Sequence, residues 1–291
     1  MRVLVVGAGL MGAQIGCEYA LGGHDVTLTA RHPDRVEERV DNALATAEDL
    51  SLFTPEQVAE ARARLTVAGE YAPDGWELVV ESVPEDFELK ATVLRPLAAA
   101  SPEAALATNT SSLSIAKLGD AIAAPDRTIG THYWNPPLLM SPVEVVAGSG
   151  TEPEVVERVS ALLRALGKRP VVVGDVPGFA WNRIQMAVLR EAVWLVENGV
   201  ASPDTVDEVL TYGLARRWRN IGFFKAVALG GVETWQLTAA NLLPRISAAA
   251  EIGDLRPWTR QDEATLAEAA AARDRGLARD LIEDRRDHGG G

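Results

Sequence analysis

The chain has 291 residues, of which 28 are lysine or arginine and 41 are aspartate or glutamate, so its formal net charge is −13. This acidic balance argues against a protein whose main partner is nucleic acid, because such binding depends on a surplus of positive charge. With 47% hydrophobic and 24% charged residues, the composition is that of a packed globular protein. No uninterrupted apolar run has the length of about 18 residues that predicts a membrane-spanning helix.

The single cysteine, Cys17, excludes a disulfide framework and a multi-cysteine metal site, so we expect no metal. The N-terminus enters an apolar run directly after Arg2 and shows no separate signal-like segment. We therefore expect a protein of the reducing cytoplasm, without membrane or nucleic-acid partners.

The first half of the chain predicts a mostly parallel sheet with helices on both faces. Short β-branched apolar runs alternate with longer segments rich in alanine and leucine, as expected for buried parallel strands separated by helices. Helices are predicted at Gly12–Leu21, Pro33–Leu50 and Glu88–Ala99. Strands are predicted at Arg2–Val6, Asp25–Thr29, Leu65–Val67, Leu78–Glu81, Ala105–Asn109, Thr128–His132, Val143–Ala147 and Val171–Val173.

The pattern changes after the turn-prone segment Gly174–Gly178. Apolar periodicity then predicts helices at Ala180–Glu197, Pro203–Gly213, Gly222–Leu243 and Arg260–Arg286. The predicted fold class is α/β, with a Rossmann-type, doubly wound sheet domain at residues 1–177 and an all-helical domain at residues 178–291. A helical domain of this apolar content favours pairing with a second copy, so we expect a homodimer.

A glycine-rich turn joins the first strand to the first helix. It reads Gly7-Ala8-Gly9-Leu10-Met11-Gly12. Its glycines permit a tight turn and close approach of the backbone to a pyrophosphate, and the following helix N-terminus offers free N–H groups and partial positive charge. In this strand–turn–helix context the motif predicts a dinucleotide site, with Gly7, Gly9, Leu10, Met11 and Gly12 in contact with the cofactor.

The end of the second strand bears on the choice between NAD and NADP. An NAD site usually has a carboxylate there for the ribose hydroxyls, whereas this chain has Ala30, followed by Arg31. An arginine at this position suits the 2′-phosphate of NADP. We therefore favour NADP(H) over NAD(H), although Arg31 also has a simpler interpretation as a solvated loop residue.

Polar side chains then follow successive predicted strands. Asn109 and Ser111 lie in Asn109-Thr110-Ser111-Ser112-Leu113, and His132 begins His132-Tyr133-Trp134-Asn135-Pro136. Glu144 lies in Val143-Glu144-Val145 and Asn182 in Pro177-Gly178-Phe179-Ala180-Trp181-Asn182-Arg183. Strand ends of a doubly wound sheet face the ligand crevice, and a histidine oriented by a carboxylate there transfers protons near neutral pH. Singly, each of these residues also fits a cap or a structural role.

Together these motifs resemble those of the L-3-hydroxyacyl-CoA dehydrogenase family, from Val3 to about Trp235. The resemblance implies that His132 is the general base, Glu144 the carboxylate paired with it, Ser111 the serine beside substrate and nicotinamide, and Asn182 the amide that faces the substrate oxygen. It further implies cofactor contacts for Glu85 and Lys90, in Glu81-Ser82-Val83-Pro84-Glu85-Asp86-Phe87-Glu88-Leu89-Lys90, and for Asn135, with Asn109 in the same strand-end cluster.

The chain departs from the family pattern in ways that leave its substrate open. The usual GPFE-like segment reads Gly222-Phe223-Phe224-Lys225, and the preceding Gly213–Trp218 segment is similar to the L-gulonate and carnitine 3-dehydrogenase branch, which oxidises free acids. The substrate is thus a 3-hydroxyacyl-CoA, a free 3-hydroxy acid whose carboxylate Arg216, Arg217 or Arg219 would grip, or a polyketide-type β-keto chain. A non-catalytic dinucleotide-binding sensor or crystallin-like protein is the alternative.

Overall fold

The computed structural model describes residues 1–259 and 262–288. Arg260, where the last predicted helix begins, and the terminal glycines lie outside the described residues. Contacts divide the chain into two compact units, one made of Met1–Ala180 with the segment from Ala264 onward, the other of Trp181–Glu263.

The first unit is built on one eight-stranded sheet with the order β3-β2-β1-β4-β5-β6-β7-β8. Adjacent strands are parallel except for β6 and β7, which are antiparallel. This is the predicted Rossmann-type doubly wound sheet, and its strand positions agree closely with the predicted ones. The strands are β1 (Arg2–Val6), β2 (Asp25–Thr29), β3 (Leu65–Ala68), β4 (Leu78–Glu81), β5 (Ala105–Thr108), β6 (Thr128–Tyr133), β7 (Pro142–Ala147) and β8 (Arg169–Gly174).

Helices cover both faces of this sheet. They are α1 (Leu10–Leu21), α2 (Pro33–Asp49), α3 (Pro55–Ala63), α4 (Phe87–Ala100), α5 (Ile115–Ala121) and α6 (Pro153–Ala165). One apolar cluster places Ile15 of α1 and Val40 of α2 against Val3 and Val5 of β1, while a second joins Leu4 of β1 to the opposite helices. Strands buried on both faces read as continuous apolar runs, which is why the sequence locates them so well.

The second unit is helical, as predicted. It contains α7 (Trp181–Glu197), α8 (Pro203–Glu208), a π-helical turn (Val209–Ala215), α9 (Arg216–Asn220), α10 (Phe223–Gly230), α11 (Val232–Leu242) and α12 (Arg256–Thr259). The single helix predicted over Gly222–Leu243 is wrong, because Gly231 has a φ of +85°. A left-handed residue cannot continue a right-handed helix, so the segment splits there.

The terminal helix α13 (Glu263–His288) is grouped with the first unit from Ala264 onward, whereas the sequence-based division assigns it to the second domain. Its Ala278 and Leu281 are buried against Leu52 and Leu139. Arg285 also donates to the carbonyl oxygen of Leu52 at 3.2 Å. The physical reason is the apolar stripe of α13, which has its partner beside α2. No helix in the described part of the chain is long and apolar enough to cross a lipid bilayer.

Candidate active site

The glycine-rich turn has the backbone geometry that its sequence predicts. Gly7 has a φ of +94°, and a Cβ at Gly7 would lie 2.6 Å from the backbone of Ser82. A Cβ at Gly12 would lie 2.3 Å from the carbonyl oxygen of Gly7. These two positions therefore require glycine for the strand, turn and helix to pack. Gly9 does not require glycine for packing, because a Cβ added at Gly9 would have no neighbouring atom within 4 Å.

That open space fits the phosphates of a dinucleotide. Gly9 is the N-cap of α1 and provides no side-chain cap, so no N-cap side chain accepts from the first-turn N–H groups of α1, which include those of Leu10 and Met11. The turn is anchored to the end of β2, since the N–H groups of Gly7 and Ala8 both donate to the Thr29 carbonyl oxygen, at 2.9 and 3.0 Å. The phosphates would be held by backbone dipoles, which need no net positive charge.

The ribose end of this site follows β2. Ala30 comes directly after Thr29, and the side chain of Arg31 is exposed to solvent. No carboxylate follows the strand at this point in the sequence. Arg31 is therefore accessible to a cofactor phosphate, and its assignment to one remains a prediction.

Glu85 organises the loop that follows β5. Its Oε1 atom accepts hydrogen bonds from the Thr110 hydroxyl at 2.6 Å, from the backbone N–H groups of Ser111 and Ser112 at 3.0 Å each, and from the Ser111 and Ser112 hydroxyls at 3.2 and 2.9 Å. Burial raises the pKa of Glu85, but the hydrogen bonds from Thr110 and Ser112 and the charge of Lys90 outweigh it, so the net shift is downward. The ionised Glu85 carboxylate thus accepts from Ser111 and holds that residue in place.

Lys90, predicted as a cofactor contact, lies in the interior and is 1% exposed. Its Nζ atom lies 2.8 and 3.0 Å from the two carboxylate oxygens of Glu81, 3.1 Å from the Val83 carbonyl oxygen and 3.5 Å from Glu85. Glu81 in turn accepts from the Thr108 hydroxyl at 2.7 Å. Lys90 thereby links the ends of β4 and β5 beneath the loop, an ion pair that the sequence analysis missed. Burial is the dominant effect on Glu81 and raises its pKa.

His132 and Glu144 form a buried pair. They lie directly opposite each other on the antiparallel strands β6 and β7, and the His132 Nδ1 atom lies 2.7 Å from the Glu144 Oε2 atom. The exposed fractions of the residues are 7% and 1%. A carboxylate at this distance orients the imidazole ring and fixes its tautomer. The Nε2 atom of the ring is then the one available for proton transfer.

Phe179 and Ala180 contact this pair, although no pattern in the sequence gave either residue a role. The Ala180 N–H group donates to the Glu144 Oε1 atom at 2.9 Å, and the Phe179 ring lies 5.6 Å from the His132 ring. Phe179 is buried and has a positive φ of 49°, which is uncommon for a bulky residue and occurs at functional sites. The only signal for this arrangement was the Pro177-Gly178 turn that precedes it.

The remaining predicted site residues lie in both units. Asn109 bridges three strand ends, since its Nδ2 atom donates to the Ser82 hydroxyl at 3.3 Å and its Oδ1 atom accepts from the Tyr133 N–H group at 2.9 Å. Asn135 is exposed on the loop after β6. Asn182 lies in the first turn of α7, in the second unit, and its role remains a prediction.

Two family models match consecutive parts of the chain. Residues 2–176 match the 3-hydroxyacyl-CoA dehydrogenase NAD-binding domain, and residues 178–252 match the C-terminal domain of the same family. The chain belongs to the 3-hydroxyacyl-CoA dehydrogenase family. It is therefore an oxidoreductase with an NAD-binding Rossmann domain.

Individual members of the family resemble the chain to different extents. It is 34% identical over 247 residues to the 5-formyl-3-hydroxy-2-methylpyridine 4-carboxylate 5-dehydrogenase of Mesorhizobium japonicum, covering 83% of this chain and 79% of that protein. It is 33% identical to the L-carnitine dehydrogenase of Streptomyces griseus, with 89% and 76% covered. It spans only 47% of the Rhizobium meliloti L-carnitine dehydrogenase/betainyl-CoA thioesterase, at 30% identity over 80% of this chain.

Solved structures show the same relationship. A 5-formyl-3-hydroxy-2-methylpyridine 4-carboxylic acid 5-dehydrogenase, described as an NAD⁺-dependent dismutase, superposes with a TM-score of 0.86 at 28% identity and covers 99% of this chain and 98% of its own. The (S)-3-hydroxybutyryl-CoA dehydrogenase of Ralstonia eutropha gives a TM-score of 0.69 at 32% identity, with 74% and 77% covered. The relatives thus include dehydrogenases named for CoA thioesters and for a free carboxylate.

Proposed function

We propose that the chain is an NAD(P)-dependent dehydrogenase that interconverts a 3-hydroxyacyl substrate, either a CoA thioester or a free acid, and its 3-keto form. The observation that carries this proposal is the buried His132–Glu144 pair, with 2.7 Å between Nδ1 and Oε2. It provides a general acid and base at the carboxyl-end region of the sheet, where ligands bind in this fold.

Each side chain has a distinct task in this proposal. In the oxidation, His132 removes the proton of the 3-hydroxyl group, and in the reduction it returns that proton to the oxygen. Glu144, held by the Ala180 N–H group, orients the ring and balances its positive charge. The Ser111 hydroxyl, which donates to Glu85 in this structure, would turn to donate to the oxygen on which charge develops, and Asn182 is proposed as a second donor to that oxygen. The bound dinucleotide supplies the hydride acceptor or donor for C3 of the substrate.

A non-catalytic dinucleotide-binding protein is the second candidate. Ala30 and Lys225 favour it, because both replace residues that the family resemblance leads one to expect. Against it, a binding protein has no need of a buried histidine–carboxylate pair. Absorbance at 340 nm, followed with NADH or NADPH and a panel of β-keto substrates, separates the two candidates. We expect turnover that His132→Gln lowers by about 10² to 10⁴ without loss of cofactor binding. Cofactor binding without turnover across the panel would instead support the binding protein.

The choice between NAD and NADP as the preferred dinucleotide is a separate proposal. The alanine at position 30 and the exposed Arg31 support NADP, because an arginine at this point pairs with a 2′-phosphate. The NAD-binding family model and the NAD⁺-dependent relative support NAD. We retain NADP as the proposal that rests on Arg31, and the ratio of kcat/KM for NADPH to that for NADH tests it directly.

We also propose a homodimer formed through the second unit. This unit leaves large apolar side chains exposed, with Tyr212 at 71%, Phe224 at 85% and Leu229 at 80%. Exposed apolar surface of this kind marks interaction sites. Sedimentation equilibrium gives the mass in solution, and Phe224→Glu is expected to shift it toward the monomer. A wild-type chain that sediments as a monomer at all concentrations would contradict the proposal.

A further inference from the structure

Residues 175–180 join β8 to the second unit, and we call them the joint segment. They are folded by their own backbone, since the Phe179 N–H group donates to the Val176 carbonyl oxygen at 2.9 Å. Gly178, within this turn, has a φ of +78°, as expected where proline and glycine occupy the two middle positions of a type II turn. The segment ends at Ala180, directly before α7. It therefore has a defined conformation, which a flexible linker lacks.

The Asp175 end of the joint segment holds the loop that follows β5. The Asp175 Oδ2 atom accepts hydrogen bonds from the Ser114 hydroxyl at 2.8 Å and from the Ala116 N–H group at 3.0 Å. Ser114 is the N-cap of α5, and the loop that Glu85 organises, which contains Ser111, runs directly into it. The Asp175 carboxylate thus satisfies an N–H group in the first turn of α5 and fixes the point where the loop ends.

The Phe179 end of the joint segment contacts the acid–base pair. The Phe179 ring lies 5.6 Å from the His132 ring, and the Ala180 N–H group donates to the Glu144 Oε1 atom at 2.9 Å. Phe179 also shares an apolar cluster with Ile115, the first residue of α5. Both ends of the joint segment therefore rest on the start of α5, one through hydrogen bonds and the other through apolar packing.

We propose that the joint segment holds Ser111 and His132 in register with each other, with Asp175 and Phe179 as positioning residues. The inference rests on the proposed dehydrogenase function, in which Ser111 and His132 act on one substrate oxygen. Ser111 lies in the loop after β5 and His132 in β6, so the loop must be fixed relative to the strand before both groups are preorganised. Phe179 has a φ of +49°. This conformation costs a bulky residue free energy and is retained where the surrounding structure over-determines it.

The test compares Asp175→Ala and Phe179→Leu with the wild-type chain, using acetoacetate and acetoacetyl-CoA with saturating reduced cofactor. We expect each variant to lower kcat about 10- to 100-fold with little change in KM, because the segment acts on geometry and leaves the binding surfaces intact. Asp175→Asn keeps an oxygen that accepts both hydrogen bonds, so its kcat should stay near that of wild type. Thr54→Ala is the matched control, because Thr54 caps α3 and α3 leads into β3, at the opposite edge of the sheet from β8. It should lower Tm as Asp175→Ala does and leave kcat unchanged.

A variant with both substitutions tests whether Asp175 and Phe179 act as one unit. If they do, its kcat should fall little below that of the slower single variant, whereas independent effects multiply. Losses that multiply would overturn the proposal, as would unchanged kcat values in both single variants. An Asp175→Asn variant as slow as Asp175→Ala would also overturn it, because the effect would then come from the charge. If circular dichroism shows that Phe179→Leu does not fold, Phe179→Met takes its place in each comparison.

Hydrogen exchange tests the inference without turnover. We expect Asp175→Ala to speed exchange of the Ala180 N–H group, and Phe179→Leu to speed exchange of residues 110–116, each about tenfold. Thr54→Ala should change neither. If the wild-type chain turns over neither probe, the dehydrogenase proposal fails, and these cross effects still support the coupling through the joint segment. Exchange that changes only beside each substitution overturns the inference, whatever the turnover.

Discussion

Replacing Glu144 with glutamine tests the proposed role of the His132–Glu144 pair in proton transfer. Glu144 is 1% exposed, and glutamine has nearly the same shape, so the change opens no cavity. The new amide oxygen is expected to keep the hydrogen bond from the Ala180 N–H group, which is 2.9 Å long in the wild-type chain. The amide NH₂ group then faces the His132 Nδ1 atom, 2.7 Å away in the wild-type chain. A donor at this position forces the ring into the tautomer with its proton on Nε2, which cannot act as a base.

We therefore expect Glu144→Gln to lower kcat by about 10² to 10⁴, the usual contribution of a general base. At 1.36 kcal/mol per factor of ten, this corresponds to about 2.7 to 5.4 kcal/mol of transition-state stabilisation. The assay is absorbance at 340 nm in both directions. Because an enzyme cannot change the equilibrium constant of its reaction, kcat/KM must fall by the same factor in each direction.

The control is Glu60→Gln, an exposed residue on α3, which should leave both rates unchanged. Quenching of tryptophan fluorescence by the cofactor checks that the dinucleotide site is intact, and circular dichroism checks the fold. If Glu144→Gln kept kcat within about threefold of wild type while binding cofactor normally, the carboxylate would have no part in proton transfer. The role given to His132 would then lose its structural basis.

Three further predictions concern the cofactor site and the serine loop. Gly9→Ala should leave Tm unchanged, because its Cβ enters open space. The same variant should bind the cofactor at least tenfold more weakly in a fluorescence titration. Gly12→Ala should instead lower Tm, because its Cβ would lie 2.3 Å from the Gly7 carbonyl oxygen. Arg31→Asp should shift the ratio of kcat/KM from NADPH toward NADH, and an unchanged ratio would make Arg31 a solvated loop residue. In the folded chain Glu85 has a pKa below its usual value of 4.5, so the folded state binds fewer protons at this residue than the unfolded state. The stability that the ionised carboxylate gives the folded chain is therefore present above pH 4.5 and lost at lower pH. The difference in Tm between wild type and Glu85→Gln should shrink as the pH falls below 4.5, and a difference that does not depend on pH would contradict the ionised form.

Most of the sheet was predictable because its strands are buried on both faces. Residues such as Val3, Leu4 and Val5 are all fully buried, and a run of this kind has few alternative structures. The helical half was less predictable. Apolar periodicity covers Gly222–Leu243 without interruption, and nothing local shows that Gly231 takes a positive φ. The periodicity of α13 indicates a buried stripe but gives no information on its packing partner, which includes Leu52.

The candidate site shows the same limit. The order of motifs selects His132 and Glu144, and a doubly wound sheet suggests that they lie near each other. The interactions that hold them could not be predicted, because they depend on tertiary packing. The Ala180 N–H group meets Glu144 across 36 residues of sequence, and Lys90 is turned inward to Glu81. Long-range contacts of buried polar groups leave little trace in local sequence.

The antiparallel pairing of β6 and β7 has a consequence for how such a protein diversifies. Cross-strand register places His132 opposite Glu144, so their spacing is set by the backbone ladder and is independent of the segment that joins the two strands. That connecting segment supplies Asn135, Pro136, Leu138 and Leu139 to the lining of a cavity that α1, α2 and α13 also border. Insertions or substitutions in it can therefore reshape this cavity while His132 and Glu144 stay in register. Within one scaffold, the pairing of these two side chains and the shape of the adjoining loop are free to change separately.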